Sequence, residues 1–205
     1  MAYPFERLNN LLAPLTPNSN FTPISLSIGE PKHQPPDFAL EILSDQEKMR
    51  ALLATYPSTK GTPKLRQSIS TWLKSRFSLE VDYETEILPV NGTREALFSF
   101  AQAVISDKTN PIVIMPNPFY QIYEGAALLA GASTFFCSSF ETNNYLQDFE
   151  SIPSETWRNT ELIYICSPAN PTGKSLSDGQ IEKLIDLAHQ HDFTIASDEC
   201  YSEIY

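Results

Sequence analysis

Two short apolar runs joined by one amphipathic segment constrain this chain more than anything else in it. The first run, Leu162-Ile163-Tyr164-Ile165-Cys166, stops at Ser167-Pro168-Ala169-Asn170-Pro171-Thr172-Gly173, and the second, ending at Thr194-Ile195-Ala196, stops at Ser197-Asp198-Glu199-Cys200-Tyr201. Between them Ser177 and Gln180 have the spacing of a capping box, which opens a helix with Ile181, Leu184, Ile185 and Ala188 inward. Strand, helix and strand in that order form a crossover between parallel strands, expected to be right-handed. In an open α/β sheet ligands gather at the carboxyl ends of strands. Asn170 and Asp198 are therefore expected side by side at one end of adjacent strands. Asn-Pro and Pro-Thr-Gly also make an ordinary turn, so Asn170 alone reads equally well as a structural residue.

The same punctuation recurs upstream. Ile87-Leu88-Pro89-Val90 reads as a strand running into Asn91-Gly92-Thr93-Arg94, with a helix from Arg94 to Ile105 that carries Leu97, Phe98, Ala101, Val104 and Ile105 at helical spacing. The first amides of such a helix lack intrahelical partners and can receive an anion, with the Thr93 hydroxyl adding a donor and Gly92 permitting close approach. This is neither a dinucleotide fingerprint nor a P-loop, both of which need more glycines at fixed spacing. Ile112-Val113-Ile114-Met115 is the next buried strand, followed by Pro116 to Tyr120 and a helix from Gln121 to Ala130 stopped by Gly131. Tyr120, near that helix start, is placed either to cover a flat ligand or to pack in the core with Phe119 and Tyr123. Ala132 to Cys137 supplies a further strand, and residues 138 to 160 form a polar excursion anchored by Leu146, Phe149 and Trp157. The fold expected is a three-layer α/β/α domain with a mostly parallel sheet.

The amino-terminal stretch differs. Prolines at 4, 14, 17, 23, 31 and 35 prevent any long helix, so residues 1 to 35 read as an arm with a short strand at Ile24 to Ile28, laid on a partner subunit or on its own domain. Pro36 opens a helix carrying Phe38, Leu40, Ile42 and Leu43, with a break before Met49. Thr62 caps a clearer helix with Pro63 in its first turn and Leu65, Ile69, Trp72 and Leu73 on an inward face. Tyr56 to Gly61 is then a loop, and Tyr56 is either a surface residue or one free to serve a site.

Charge and cysteine usage narrow the function. The 205 residues hold 14 Lys plus Arg against 25 Asp plus Glu, a formal charge of -11, which argues against a nucleic-acid surface. Cys137, Cys166 and Cys200 each lie in or beside an apolar strand, not in a secreted disulfide framework, which favours a reducing compartment. Nothing approaches the ~18 apolar residues of a membrane span, and Leu11 to Leu15 is too short for a secretion signal. A soluble cytoplasmic protein is expected. His33, His189 and His191 have no metal-ligand spacing with the cysteines, and no Gly-x-Ser-x-Gly elbow is present.

Taken together, Tyr56 with Gly61, Asn91-Gly92-Thr93, Pro118-Phe119-Tyr120 with Tyr123, Asn170-Pro171-Thr172-Gly173 and Asp198-Glu199-Cys200-Tyr201 occur in the order and approximate spacing of one family. The chain resembles the amino-terminal part of the class I/II aminotransferases, fold-type I enzymes dependent on pyridoxal 5'-phosphate. The resemblance divides the chain into an arm and start of a small domain at 1–35 and a partial cofactor-binding large domain at 36–205. It implies that Asp198 holds the proton on the cofactor's ring nitrogen, that Asn170 and Tyr201 hydrogen-bond the ring oxygen, and that Tyr120 stacks on the ring. It further implies that amides around Gly92, Thr93 and Arg94 hold the phosphate, that Tyr56 reaches the phosphate in a partner subunit of a homodimer, and that Gly29 lines the pocket for the substrate carboxylate.

Finer likeness lies in Ile28 to His33, Leu88 to Leu97 and Pro116 to Gly125, which resemble succinyldiaminopimelate transaminases. That implies exchange of an amino group between an amino acid and a 2-oxo acid, the pair being N-succinyl-diaminopimelate and 2-oxoglutarate in lysine biosynthesis. Acetylornithine- or aspartate-type transaminases are the alternatives within the class, and a noncatalytic ligand-binding or regulatory module is the alternative outside it. No lysine here stands in the context of the family's cofactor-bearing lysine. The resemblance therefore reads the 205 residues as a fragment, inactive and not stably folded by itself.

Overall fold

A computed structural model describes residues 4–24, 26, 28–29, 32–106 and 108–204. The chain divides into two compact units, Met1–Tyr56 and Pro57–Tyr205.

The first unit holds three short helices, α1 (Pro4–Leu12), α2 (Asp37–Ser44) and α3 (Gln46–Leu52). The expected break after α2 falls at Asp45, whose extended backbone ends one helix while its carboxylate accepts from the Lys48 amide at 3.0 Å and so caps the next. Helix α1 was not legible behind the prolines. The strand expected at 24 to 28 is a correction: Ile24, Leu26 and Ile28 are exposed and outside any strand, while Ser25 and Ser27 lie outside the described residues. Apolar alternation alone makes no strand without a ladder partner.

The second unit begins with α4 (Pro63–Phe77), where Thr62 Oγ1 accepts from the Leu65 amide at 3.2 Å as expected of the cap. Its supposed inward face is only partly covered: Leu65 and Trp72 are each nearly half exposed, and the one fully buried side chain is Arg66. That guanidinium donates to the Tyr83 carbonyl at 2.5 Å and to Glu84 at 3.1 Å, pinning the 82–86 turn against the helix. Helix α5 (Thr93–Val104) follows Gly92. Ile87 to Val90 is not a strand, which corrects the expectation: among the described residues nothing pairs with it, and Leu88 is 65% exposed.

From Ile112 onward the parallel architecture appears. Strand β1 (Ile112–Asn117), α6 (Gln121–Leu129), β2 (Ser133–Ser138), α7 (Ser154–Asn159), β3 (Thr160–Cys166), α8 (Asp178–His191) and β4 (Thr194–Asp198) build a four-stranded sheet in the order β2-β1-β3-β4, with every pair parallel. Side chains of β1 and β3 alternate between two cores. Val113, Met115, Leu162 and Tyr164 meet α5 and α6 through Ala101, Tyr123, Ala126 and Ala127. Ile114, Ile163 and Ile165 meet Trp157 of α7, Leu184 of α8 and Phe149. Helices on both faces are what make near-continuous apolar strands possible. Phe149 and Trp157 anchor the polar excursion as read from sequence, and the Ser177–Gln180 capping box is present.

The connection from β1 runs through α6 to β2 on one side, and that from β3 runs through α8 to β4 on the other. The strand order consequently reverses between β1 and β3, and in open α/β sheets ligands bind beyond the carboxyl ends of strands near such a reversal.

Candidate functional site

Asp198 ends β4 directly beside Cys166, which ends β3. Its side chain is 8% exposed. Tyr123, in the first turn of α6, donates its hydroxyl to Asp198 Oδ2 at 2.6 Å, and the Cys200 amide donates to Oδ1 at 3.3 Å. Main-chain geometry holds the same corner, since the Ser167 amide donates to the Asp198 carbonyl at 3.2 Å. The turn that begins there is closed by the Gly173 amide on the Ala169 carbonyl and the Ala169 amide on the Lys174 carbonyl, at 2.7 and 2.8 Å. It delivers Asn170 to Tyr201, whose hydroxyl accepts from Asn170 Nδ2 at 3.0 Å. Accepting from the amide leaves the phenol its own proton to donate onward.

The third strand-end element joins through rings. Tyr120 precedes α6 and meets Tyr123 edge to face at 5.8 Å, while Arg94 Nε donates to the Tyr120 hydroxyl at 2.7 Å. Tyr123 also stacks on Tyr164 of β3, with centroids 4.5 Å apart and planes 8° apart. The Tyr164 hydroxyl in turn donates to the Leu97 carbonyl of α5 at 2.6 Å. The start of α5 is thereby tied through side chains to the residue after β1, to β3 and to the end of β4.

At that helix start the first intrahelical bond is the one from the Ala96 amide to the Gly92 carbonyl, so the Thr93, Arg94 and Glu95 amides precede the ladder. Gly92 has φ +112 and would offer a Cβ nothing within 4 Å. The result is an open cradle of amides at the positive end of a 12-residue helix.

Titration behaviour keeps the buried corner protonated around its carboxylate. Burial first, then the bond to Asp198, pushes the Tyr123 phenol well above its ordinary range. Burial first and the Asp198 charge second push the Cys200 thiol up to about 11. Burial raises Tyr201 as well, opposed by the bond from Asn170. These phenols stay neutral donors at physiological pH.

Among the residues singled out from sequence, Asp198, Asn170, Tyr201 and Tyr120 belong to the second unit at or just beyond strand ends, and Gly92, Thr93 and Arg94 belong to the same unit at the start of α5. Gly29 and Tyr56 belong to the first unit, and Tyr56 is 98% exposed. Sequence reasoning missed the hydroxyl of Tyr123, the Tyr164 brace and the side-chain role of Arg94. Only the grouping of Tyr120 with Tyr123 hinted at the first. A cavity of about 210 Å³ lies elsewhere, lined by Asn143, Leu146, Phe149, Glu150, Gln180 and Lys183 among others, and holds none of these groups. Among the described residues, no three His, Cys, Asp or Glu side chains cluster to hold a metal, and no helix is long and apolar enough to cross a membrane.

Comparison with known proteins decides the family. The family model described as aminotransferase class I and II matches residues 22–205. The chain belongs to the class I and II aminotransferases. Its relatives include the LL-diaminopimelate aminotransferase of Nitratidesulfovibrio vulgaris (strain DP4), 34% identical over 182 residues, covering 89% of this chain and 46% of that protein. The enzyme of the same name from Syntrophobacter fumaroxidans is 31% identical over 202 residues, covering 98% and 51%. Among solved structures, an aminotransferase from Neisseria meningitidis Z2491 superposes with a TM-score of 0.90 at 43% identity, covering all of this chain and 52% of that one. The chain spans about half the length of the curated relatives it matches.

Aminotransferases of this family depend on pyridoxal phosphate, and the residues present fit parts of that group. A buried carboxylate with acceptor capacity remaining suits a protonated ring nitrogen, the Asn170–Tyr201 pair suits a ring oxygen, and the amide cradle at Gly92–Thr93 suits a phosphate.

Proposed function

We propose that the complete protein transfers an amino group between an amino acid and a 2-oxo acid, with a diaminopimelate-type substrate on one side of the exchange. The observation that carries this is the buried Asp198 carboxylate, gripped on one side by Tyr123, at the carboxyl end of β4. When bound, pyridoxal phosphate supplies the electron sink that lets the substrate's α-carbon give up its proton.

The chain's own residues hold and orient. Asp198 would hold the proton on the ring nitrogen, because a carboxylate in a largely water-excluded corner attracts such an N–H strongly. Asn170 and Tyr201 would donate to the ring oxygen, Tyr120 would cover one ring face, and the Gly92, Thr93 and Arg94 amides would take the phosphate. By the family resemblance Gly29 would line the substrate carboxylate pocket, and Tyr56 would reach the phosphate in the partner of a cytoplasmic homodimer.

The names of the relatives support the diaminopimelate skeleton, and the likeness of Ile28 to His33 and Pro116 to Gly125 supports its N-succinyl form. The test is reconstitution of the complete protein with pyridoxal phosphate. Protein-bound cofactor absorbance should appear and shift on addition of glutamate. Amino transfer to 2-oxoglutarate is then compared for N-succinyl-LL-diaminopimelate, LL-diaminopimelate, acetylornithine and aspartate. No cofactor uptake overturns the whole reading, and uptake without amino transfer to any acceptor favours a noncatalytic module. A higher kcat/KM with aspartate or acetylornithine overturns only the substrate. Light scattering tests the dimer.

A further inference from the structure

The buried groups around the site include one that the family reading above leaves without a task, the hydroxyl of Tyr123. We infer that Tyr123 is a positioning residue that commits one oxygen of Asp198 to itself, and so fixes the other side of the carboxylate as the partner of the ring nitrogen. This rests on the proposed cofactor reading and deepens it.

The bond is short, at 2.6 Å from the phenol to Oδ2, and both residues are buried, with Tyr123 only 1% exposed. Its ring cannot swing away: Tyr164 stacks on it at 4.5 Å and Tyr120 meets it edge-on at 5.8 Å. Tyr164 is itself anchored on α5 through the Leu97 carbonyl. The donor is therefore held in place by its neighbours, while Oδ1 receives the longer 3.3 Å bond from the Cys200 amide and keeps acceptor capacity. Burial keeps the Tyr123 proton in place far above neutral pH, so the phenol donates throughout the working range. A phenol bond to an ionised carboxylate stabilises the charged form, which is the form that a protonated ring nitrogen needs. The other titratable groups facing the carboxylate are Cys166 from the end of β3 and Cys200 beyond β4; burial raises both thiols, so neither competes as an anion.

The experiment uses the complete protein and follows pyridoxal phosphate affinity as a function of pH, alongside thermal melting. Tyr123→Phe keeps both ring contacts and removes only the hydroxyl. The acid limb of cofactor binding should move to higher pH, with affinity near neutral pH weakened about tenfold, the scale of one bond to a charged group. Site-specific replacement of Tyr123 by difluorotyrosine, a stronger donor of the same shape, should move the limb the opposite way. This second variant decides the matter even if Tyr123→Phe folds poorly. Tyr164→Phe removes the bond to Leu97 alone, and should lower the melting temperature with the acid limb in place. An unmoved limb in both Tyr123 variants, or an equal movement in Tyr164→Phe, overturns the inference while leaving the cofactor reading intact. No cofactor binding by the unsubstituted protein overturns both.

Discussion

The two ends of the candidate site are built by opposite means. At β4, Asp198 is nearly enclosed and its surroundings are already bonded: Tyr123 to the carboxylate, Tyr164 behind Tyr123, and the Ser167 amide on the main chain. At α5, Gly92, Thr93 and Arg94 are exposed, and the helix's leading amides precede its hydrogen-bond ladder. One end is set by packing before any ligand arrives, whereas the other presents donors that an anion would satisfy. A buried, pre-oriented charge gains from low local polarity and needs no reorganisation. An amide cradle must stay open because a highly charged phosphate group has to enter it.

That contrast predicts its largest effect at the closed end. Asp198→Ala in the complete protein should slow the half-reaction with glutamate by at least ~100-fold, the scale found when a preorganised charge partner is removed, while some cofactor stays attached through the open end. Single-turnover absorbance measurements check both parts. Unchanged turnover would remove Asp198 from the role proposed for it.

The open end breaks differently. At Gly92 space is not the constraint, since an added Cβ meets nothing within 4 Å; the dihedral is, at φ +112. Gly92→Ala should cost about 1–3 kcal/mol of backbone strain and turn the following amides away from the anion. Phosphate or cofactor affinity should fall more than the melting temperature does, read by calorimetry on the same samples. Equal affinity in the variant would mean that the cradle does not depend on this conformation.

The same contrast explains what could be read from sequence. Strands β1 and β3, the Thr62 and Ser177 caps and the anchors Phe149 and Trp157 were legible because periodicity and local hydrogen bonding determine them within a few residues. Strand-end positions for Asn170 and Asp198 followed from topology. The bond between Tyr123 and Asp198 spans 75 positions and the one between Tyr164 and Leu97 spans 67; no local pattern announces them. Ile87 to Val90 failed for the same reason in reverse. A strand is a relation between segments, and Leu88, 65% exposed, has the composition of a strand without the ladder. The half-exposed Leu65 and Trp72 on α4 show likewise that an apolar face states what a helix would bury, not what covers it.

The smallest effect should come from a residue that serves the scaffold and neither end of the candidate site. Ser177 Oγ accepts from the Gln180 amide at 3.4 Å while Gln180 Oε1 accepts from the Ser177 amide at 3.0 Å, so the start of α8 has two donors satisfied reciprocally. Helix α8 packs on the sheet face away from Tyr123, through Leu184 into the cluster around Ile163 and Ile165. Ser177→Ala should therefore cost about 1 kcal/mol, the usual worth of a serine cap, and lower the melting temperature by a few degrees. The long bond to the Gln180 amide places the loss toward the lower part of that range. Cofactor affinity and the acid limb of its pH dependence should stay where they were, because no bond of Ser177 reaches Asp198 or the amides after Gly92. Parallel melting curves and cofactor titrations of the complete protein measure the two quantities separately. A fall in affinity as large as that of Gly92→Ala would show that the α8 face sets the strand ends as strongly as the α6 face does, and the division between a packed end and an open one would have to be redrawn.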